Sequence, residues 1–231
     1  MISGKDLSES VARFLEPKTL GRLLGLSMLL EFVFELISNF AWQARLFDGS
    51  GLLARAATMQ GLLGSAAMVD LISGGVDIAL GVAVMLRYRA QQPVSTRVYL
   101  GLLVAILAAS MTEDTMLLAM GRLGAELQRV GTPEILGGYP MEHLLRALRA
   151  GIHLPVKLLG GFALTMFFIL LGRVGALPRA LAIAGIVAAG FQMIAIGMDI
   201  YGLPLQYILL APLALVYPVT GLWLVWRGLN R

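Results

Sequence analysis

The sequence contains no cysteine. That absence excludes disulfides, thiolate metal sites and cysteine nucleophiles. Charge is scarce as well: 14% of the 231 residues are Asp, Glu, Lys or Arg, against 58% that are hydrophobic. A soluble domain carries about 25% charged and about 45–50% apolar residues. Only two histidines occur, His143 and His153. Ten residues along one helix would hold them about 15 Å apart, too far to share a metal. A cleavable leader is not expected, because Asp6, Glu9 and Glu16 interrupt the first residues and no apolar core precedes the first hydrophobic run.

The sequence is rich instead in apolar runs of 20 or more residues, and its mean hydropathy is +0.81. Such runs match what a helix needs to cross roughly 30 Å of hydrocarbon. The pattern predicts an all-α membrane protein with six transmembrane helices in one bundle, over approximately residues 19–42, 57–86, 98–120, 146–172, 179–200 and 205–226. Residues 1–17 form a separate N-terminal segment and 18–231 the transmembrane domain. In the segment, Leu7, Val11, Phe14 and Leu15 recur at helical spacing among Lys5, Asp6, Glu9 and Arg13. That is the signature of an amphipathic helix lying on a membrane surface. Residues 122–142, with Gly124, Gly131, Pro133, Gly137, Gly138 and Pro140, read as the sizeable loop, suited to a lid or re-entrant segment.

Orientation follows from Lys and Arg. Lys5, Arg13, Lys18 and Arg22 flank the first span. Arg87, Arg89, Arg97, Arg173, Arg179, Arg227 and Arg231 fall on the same side, against Arg45, Arg55, Arg122 and Arg129 opposite. The positive-inside rule puts both termini in the cytoplasm. The formal net charge of +4 therefore reports orientation, and no nucleic-acid partner is implied.

Seven of the 14 acidic residues fall inside predicted spans: Glu31, Glu35, Asp70, Asp77, Glu113, Asp114 and Asp199. Each would cost at least ~2.5 kcal/mol facing lipid at mid-depth, so each needs a partner, a cation or water. Helical phase groups them. Ser27, Glu31, Glu35, Ser38 and Asn39 share one face, as do Asp70, Ser73, Gly74, Asp77 and Gly81. In the fourth span Arg149, His153 and Lys157 are each four apart and form a basic stripe. Pro155 within it removes a backbone donor and frees a carbonyl near Gly151, a place for a kink. Arg146 and Arg149 are assigned mostly to the outer interface, and Lys157 to mid-membrane.

Two roles fit these charges. Buried ion pairs, such as Lys157 with Glu31 or Asp70 and Arg149 with Glu113 or Asp199, fix helix register. Alternatively the acidic surplus marks a proton or cation path. The candidate ligand- or ion-binding residues are Glu31, Glu35, Asp70, Glu113, Asp114, His153, Lys157 and Asp199. The favoured reading is a small transporter-like protein linked to a proton, cation or small cationic solute. One alternative is a non-catalytic subunit or scaffold with a membrane-protein partner. Another is an intramembrane metal-dependent hydrolase using His153 and carboxylates. Catalytic residues are not identified, and no cofactor or metal is predicted. The 12 methionines read as core filling. Gly74-Gly75 and Gly160-Gly161 read as helix-packing sites.

Three stretches carry a family resemblance: Lys18-Thr-Leu-Gly-Arg22-Leu-Leu-Gly25, Asp70-Leu-Ile-Ser73-Gly-Gly-Val-Asp77-Ile-Ala-Leu-Gly81 and Gly175-Ala-Leu-Pro178-Arg179-Ala-Leu-Ala-Ile-Ala-Gly185. With them the chain resembles an uncharacterised family of bacterial multi-pass inner-membrane proteins. The resemblance implies a membrane protein of similar length and supplies no catalytic residues.

Overall fold

The computed structural model describes residues 15–49, 51–130 and 139–230. The amphipathic helix expected over residues 4–16 lies almost entirely outside that set. Among the described residues the structure is helical, without strands. Helix α1 spans Pro17–Ile37 and passes into a π-helical turn, Ser38–Gln43. Two short helices follow, α2 at Ala44–Phe47 and α3 at Leu52–Thr58. The long helices are α4 Gln60–Tyr88, α5 Pro93–Val130, α6 Tyr139–Arg173, α7 Arg179–Ile200 and α8 Ala211–Arg227. A 3₁₀ turn at Tyr207–Leu209 precedes α8.

Five of these helices are long and apolar enough to cross a membrane: α4, α5, α6, α7 and the last one counted from Tyr207. Helix α1 has 21 residues, the length of a span, but carries Lys18, Arg22, Glu31 and Glu35. Large apolar side chains such as Ile72, Leu215, Ile208 and Phe40 are exposed. That surface suits hydrocarbon, where apolar side chains face outward and helices satisfy their own backbone groups.

The helices run past the expected ends. Residues 122–130 continue α5 and residues 139–142 begin α6, so these parts of the loop expected over 122–142 are helical, and 131–138 lie outside the described residues. The run Ala125-Glu126-Leu127-Gln128-Arg129 is made of strong helix formers, and Arg129 pairs with Glu126 one turn back at 2.7 Å. Gly124 does not break the helix. It lies against the Leu53 backbone carbonyl, where a Cβ has no room. Pro155 lies inside α6, and the helix continues on both sides of it. Pro178, extended at ψ 136°, sets the start of α7 where the sequence places it.

The chain divides into two compact units. The first comprises Met1–Phe32, Gly75–Ala105 and Lys157–Arg231. Its core includes Leu20, Leu24, Val84, Phe167, Phe168 and Leu224. Gly25 packs on α8, where an added Cβ would meet the Gly221 carbonyl oxygen at 2.5 Å. Gly161 admits the Met193 side chain, whereas Gly160 has open space. The second unit comprises Val33–Gly74 and Ile106–Val156. Its core is built on Leu46, Leu52, Leu53, Ala56, Leu117 and Met120. Gly74 takes the Leu107 side chain against it. One glycine of each expected packing pair thus makes a close helix contact.

Candidate functional site

The second unit gathers the largest set of ionisable side chains. Helix α5 contributes Glu113 and Asp114, both 8% exposed. Helix α6 contributes Arg149 and His153, one turn apart, and α4 contributes Asp70. The π-helical turn ends on Gln43. A π turn inserts an extra residue into the helical repeat and often re-aims side chains at functional positions.

Glu113 is the hub. Arg149 Nε donates to Glu113 Oε1 at 3.0 Å. His153 Nδ1 lies 2.9 Å from Oε1 and 3.1 Å from Oε2 of the same carboxyl. Arg149 Nη2 donates to Gln43 Oε1 and stands 3.3 Å from His153 Nδ1. The Arg149 guanidinium also covers the Phe47 ring, 4.7 Å from its centroid, a favourable cation–π geometry. Arg149 is therefore largely buried, at 15% side-chain exposure. An unpartnered arginine seeks water, but here carboxylate, amide and ring replace it.

Asp114 interacts with a second carboxyl, that of Asp70. Oδ2 of Asp114 is buried without a hydrogen-bond partner among the described residues. Ionised carboxylates are acceptors only, so a carboxyl–carboxyl hydrogen bond contains a proton.

An arginine strap supports the edge of this cluster. Arg146 donates to the carbonyls of Phe47 and Gly49, both at 2.6 Å. Arg55 donates to Leu46 O at 3.2 Å and Gly49 O at 3.3 Å. Glu142 accepts from Gly51 N–H at 3.1 Å. These groups satisfy backbone atoms that the short helix α2 leaves open at its end. Gly49 and Gly51 adopt φ of +56° and +80°, which side-chain-bearing residues rarely do.

Of the remaining predicted residues, Glu35 belongs to the second unit and Glu31, Lys157 and Asp199 to the first. Glu31 belongs to the first unit, where Tyr217 O–H donates to its Oε2 at 2.8 Å and Ser27 Oγ lies 3.1 Å from Oε1. Ser27 Oγ is also 3.2 Å from Asp77 Oδ1, and the Glu31 and Asp77 carboxyls interact with each other. Glu31 belongs to the first unit and Asp70 to the second. Lys157 and Asp199 also fall in the first unit. The Lys157 carbonyl accepts from Gln192 Nε2 at 3.2 Å, and Asp199 ends α7 with its carbonyl bonded to Gly202 N–H. Glu35 accepts from Asn39 at 2.8 Å.

Gln43 and Tyr217 are contributors that sequence reasoning missed. Gln43 had one available signal, a polar side chain immediately after the tryptophan that ends an apolar run. Tyr217 had none beyond its place in a span.

An open apolar cleft of about 460 Å³ in the same unit is lined by Met111, Thr112, Thr115, Met116, Ala119 and Ile152. Thr112 and Thr115 bond their own helix carbonyls. Among the described residues, no group of three or more His, Asp or Glu side chains is arranged to hold a metal ion.

Comparison with known proteins finds a match over residues 23–228 to the family described as a domain of unknown function, DUF4386. No curated protein matches, and no solved structure does.

Proposed function

This chain belongs to the DUF4386 family, and from that premise we propose that it is a proton-linked, transporter-like membrane protein whose working site is the Asp70–Glu113–Asp114–Arg149–His153 cluster. The observation that carries the reading is the interaction of the Asp70 and Asp114 carboxyls, beside a Glu113 already matched by Arg149. Such a carboxyl pair holds a proton, and intramembrane ionisable groups commonly mark proton relays. Arg149 neutralises Glu113, so the exchangeable proton belongs to the aspartates.

In this reading α1 is a sixth span, the N-terminal segment lies on the membrane surface, and both termini are cytoplasmic in a bacterial inner membrane. The basic flanks of α1 and α8 support that orientation. A metal-dependent hydrolase finds no support in the geometry of the described carboxylates.

The test is proton flux. Purified protein reconstituted into liposomes with a lumenal pH dye should acidify the lumen faster than protein-free vesicles under an imposed potential. Asp114→Asn and Asp70→Asn should fall to the protein-free rate. Wild-type flux no faster than empty vesicles, or unchanged flux in both variants, overturns the reading.

A further inference from the structure

We propose that Nε2 of His153 is a second proton-accepting atom of this site, beside the aspartate pair, presented there because Glu113 holds the imidazole in its Nδ1–H form. The inference rests on the proton-linked reading for its purpose, but its geometry stands apart from it.

Nδ1 of His153 is within reach of an acceptor and of a donor at once. Both Glu113 oxygens lie near it, at 2.9 and 3.1 Å, and Arg149 Nη2 at 3.3 Å. Arginine is a donor only, so Nδ1 can accept from Arg149 only by giving up its own hydrogen. Arg149 does not need that lone pair. Its Nε already donates to Glu113 and its Nη2 to Gln43. Glu113, matched by the Arg149 charge, gains a second charge-assisted bond if Nδ1 keeps its hydrogen. The straddling of both carboxyl oxygens by Nδ1 fits a donor pointing between two acceptors.

A neutral imidazole with hydrogen on Nδ1 has its lone pair on Nε2. No side-chain or backbone group among the described residues bonds Nε2 of His153. The ring is mostly buried, at 20% side-chain exposure, yet that edge is left unused. A carboxylate on one ring nitrogen and nothing on the other is how a histidine is oriented to act as a base.

The step balances simply. A hydronium ion gives up a proton, its O–H electron pair staying on oxygen to leave water, an N–H bond forms at Nε2, and the imidazole becomes imidazolium. The Nδ1–H bond to Glu113 is kept, so the site need not rearrange. The charged groups of this cluster are Glu113 and Asp114 on α5, Asp70 on α4 and Arg149 on α6, with neutral Gln43 beside them.

The experiment is ¹⁵N-histidine NMR on the full chain in nanodiscs. Only two histidines exist, so His143→Gln leaves His153 as the single signal. The neutral ring should show a protonated-type Nδ1 and an unprotonated-type Nε2. Added acid should protonate Nε2 while Nδ1 keeps its hydrogen. Glu113→Ala should shift the ring toward a mixture of tautomers. Glu113→Gln keeps a carbonyl acceptor and should hold the Nδ1–H form, which separates lost orientation from lost folding. A neutral Nε2–H form in the otherwise native protein, or protonation at Nδ1's expense with Nε2 left bare, overturns the proposal. These readouts come from the ring itself, whereas flux in Asp114→Asn bears on the proton-linked reading alone.

Discussion

Arg149 and Glu113, 36 positions apart in the chain, meet through an Nε–Oε1 bond of 3.0 Å with both side chains largely buried. A buried ion pair is weak evidence of net stabilisation, but removing one partner strands the other charge. Arg149→Met should therefore destabilise the protein by about 3–5 kcal/mol, read as a lowered thermal midpoint in detergent. Adding Glu113→Gln should restore much of the loss, because no stranded carboxylate remains. A double-mutant coupling below about 0.5 kcal/mol, within what independent sites show, would mean that the two charges are not matched in solution.

Glycine positions provide a contrast within one unit. An added Cβ at Gly25 would meet backbone atoms of α8, Gly221 O at 2.5 Å and Val225 N at 2.7 Å, which cannot swing aside. At Gly75 nothing lies within 4 Å. Gly25→Ala should cost about 1–3 kcal/mol through overpacking. Gly75→Ala should be neutral or gain up to about 1 kcal/mol from helix propensity. Thermal unfolding of the two variants side by side checks this. Equal midpoints would show that α1 and α8 do not pack at Gly25.

Local regularities in the sequence reached the helices and some of their faces, and stopped where contacts become long-range. The start of α7 at Arg179 and its end at Ile200 follow from Pro178 and the length of the apolar run. The Ser27–Glu31 and Glu35–Asn39 bonds follow from four-residue spacing on one helix. The pairing of Arg149 with Glu113 was one of two options that charge alone left open. Gln43 reaches Arg149 across 106 positions and Tyr217 reaches Glu31 across 186. No periodicity encodes such a distance. The shared phase of Asp70 and Asp77 suggested one site. One aspartate, however, meets Asp114 and the other Glu31, because two turns separate them along α4 and different helices pass at each level. The loop expected at 122–130 failed for another reason. Glycine was counted as a breaker, although Gly124 is needed where α3 crosses close to α5.

Tyr217 offers the sharpest test of the first unit. Its hydroxyl donates to Glu31 Oε2 at 2.8 Å, while Oε1 has Ser27 at 3.1 Å. Tyr217→Phe keeps the ring and its contact with Phe32, whose centroid lies 6.3 Å away, and deletes only the donor. Leaving a buried acceptor short of one bond costs about 1–3 kcal/mol, so the thermal midpoint should fall. Glu31→Gln in the same background should narrow the deficit, because a neutral amide loses less than a carboxyl does when that donor is gone. The cycle distinguishes a specific bond from mere ring packing: if Tyr217→Phe melts with wild type, the hydroxyl contributes nothing and Glu31 draws its stability from Ser27 and Asp77 alone.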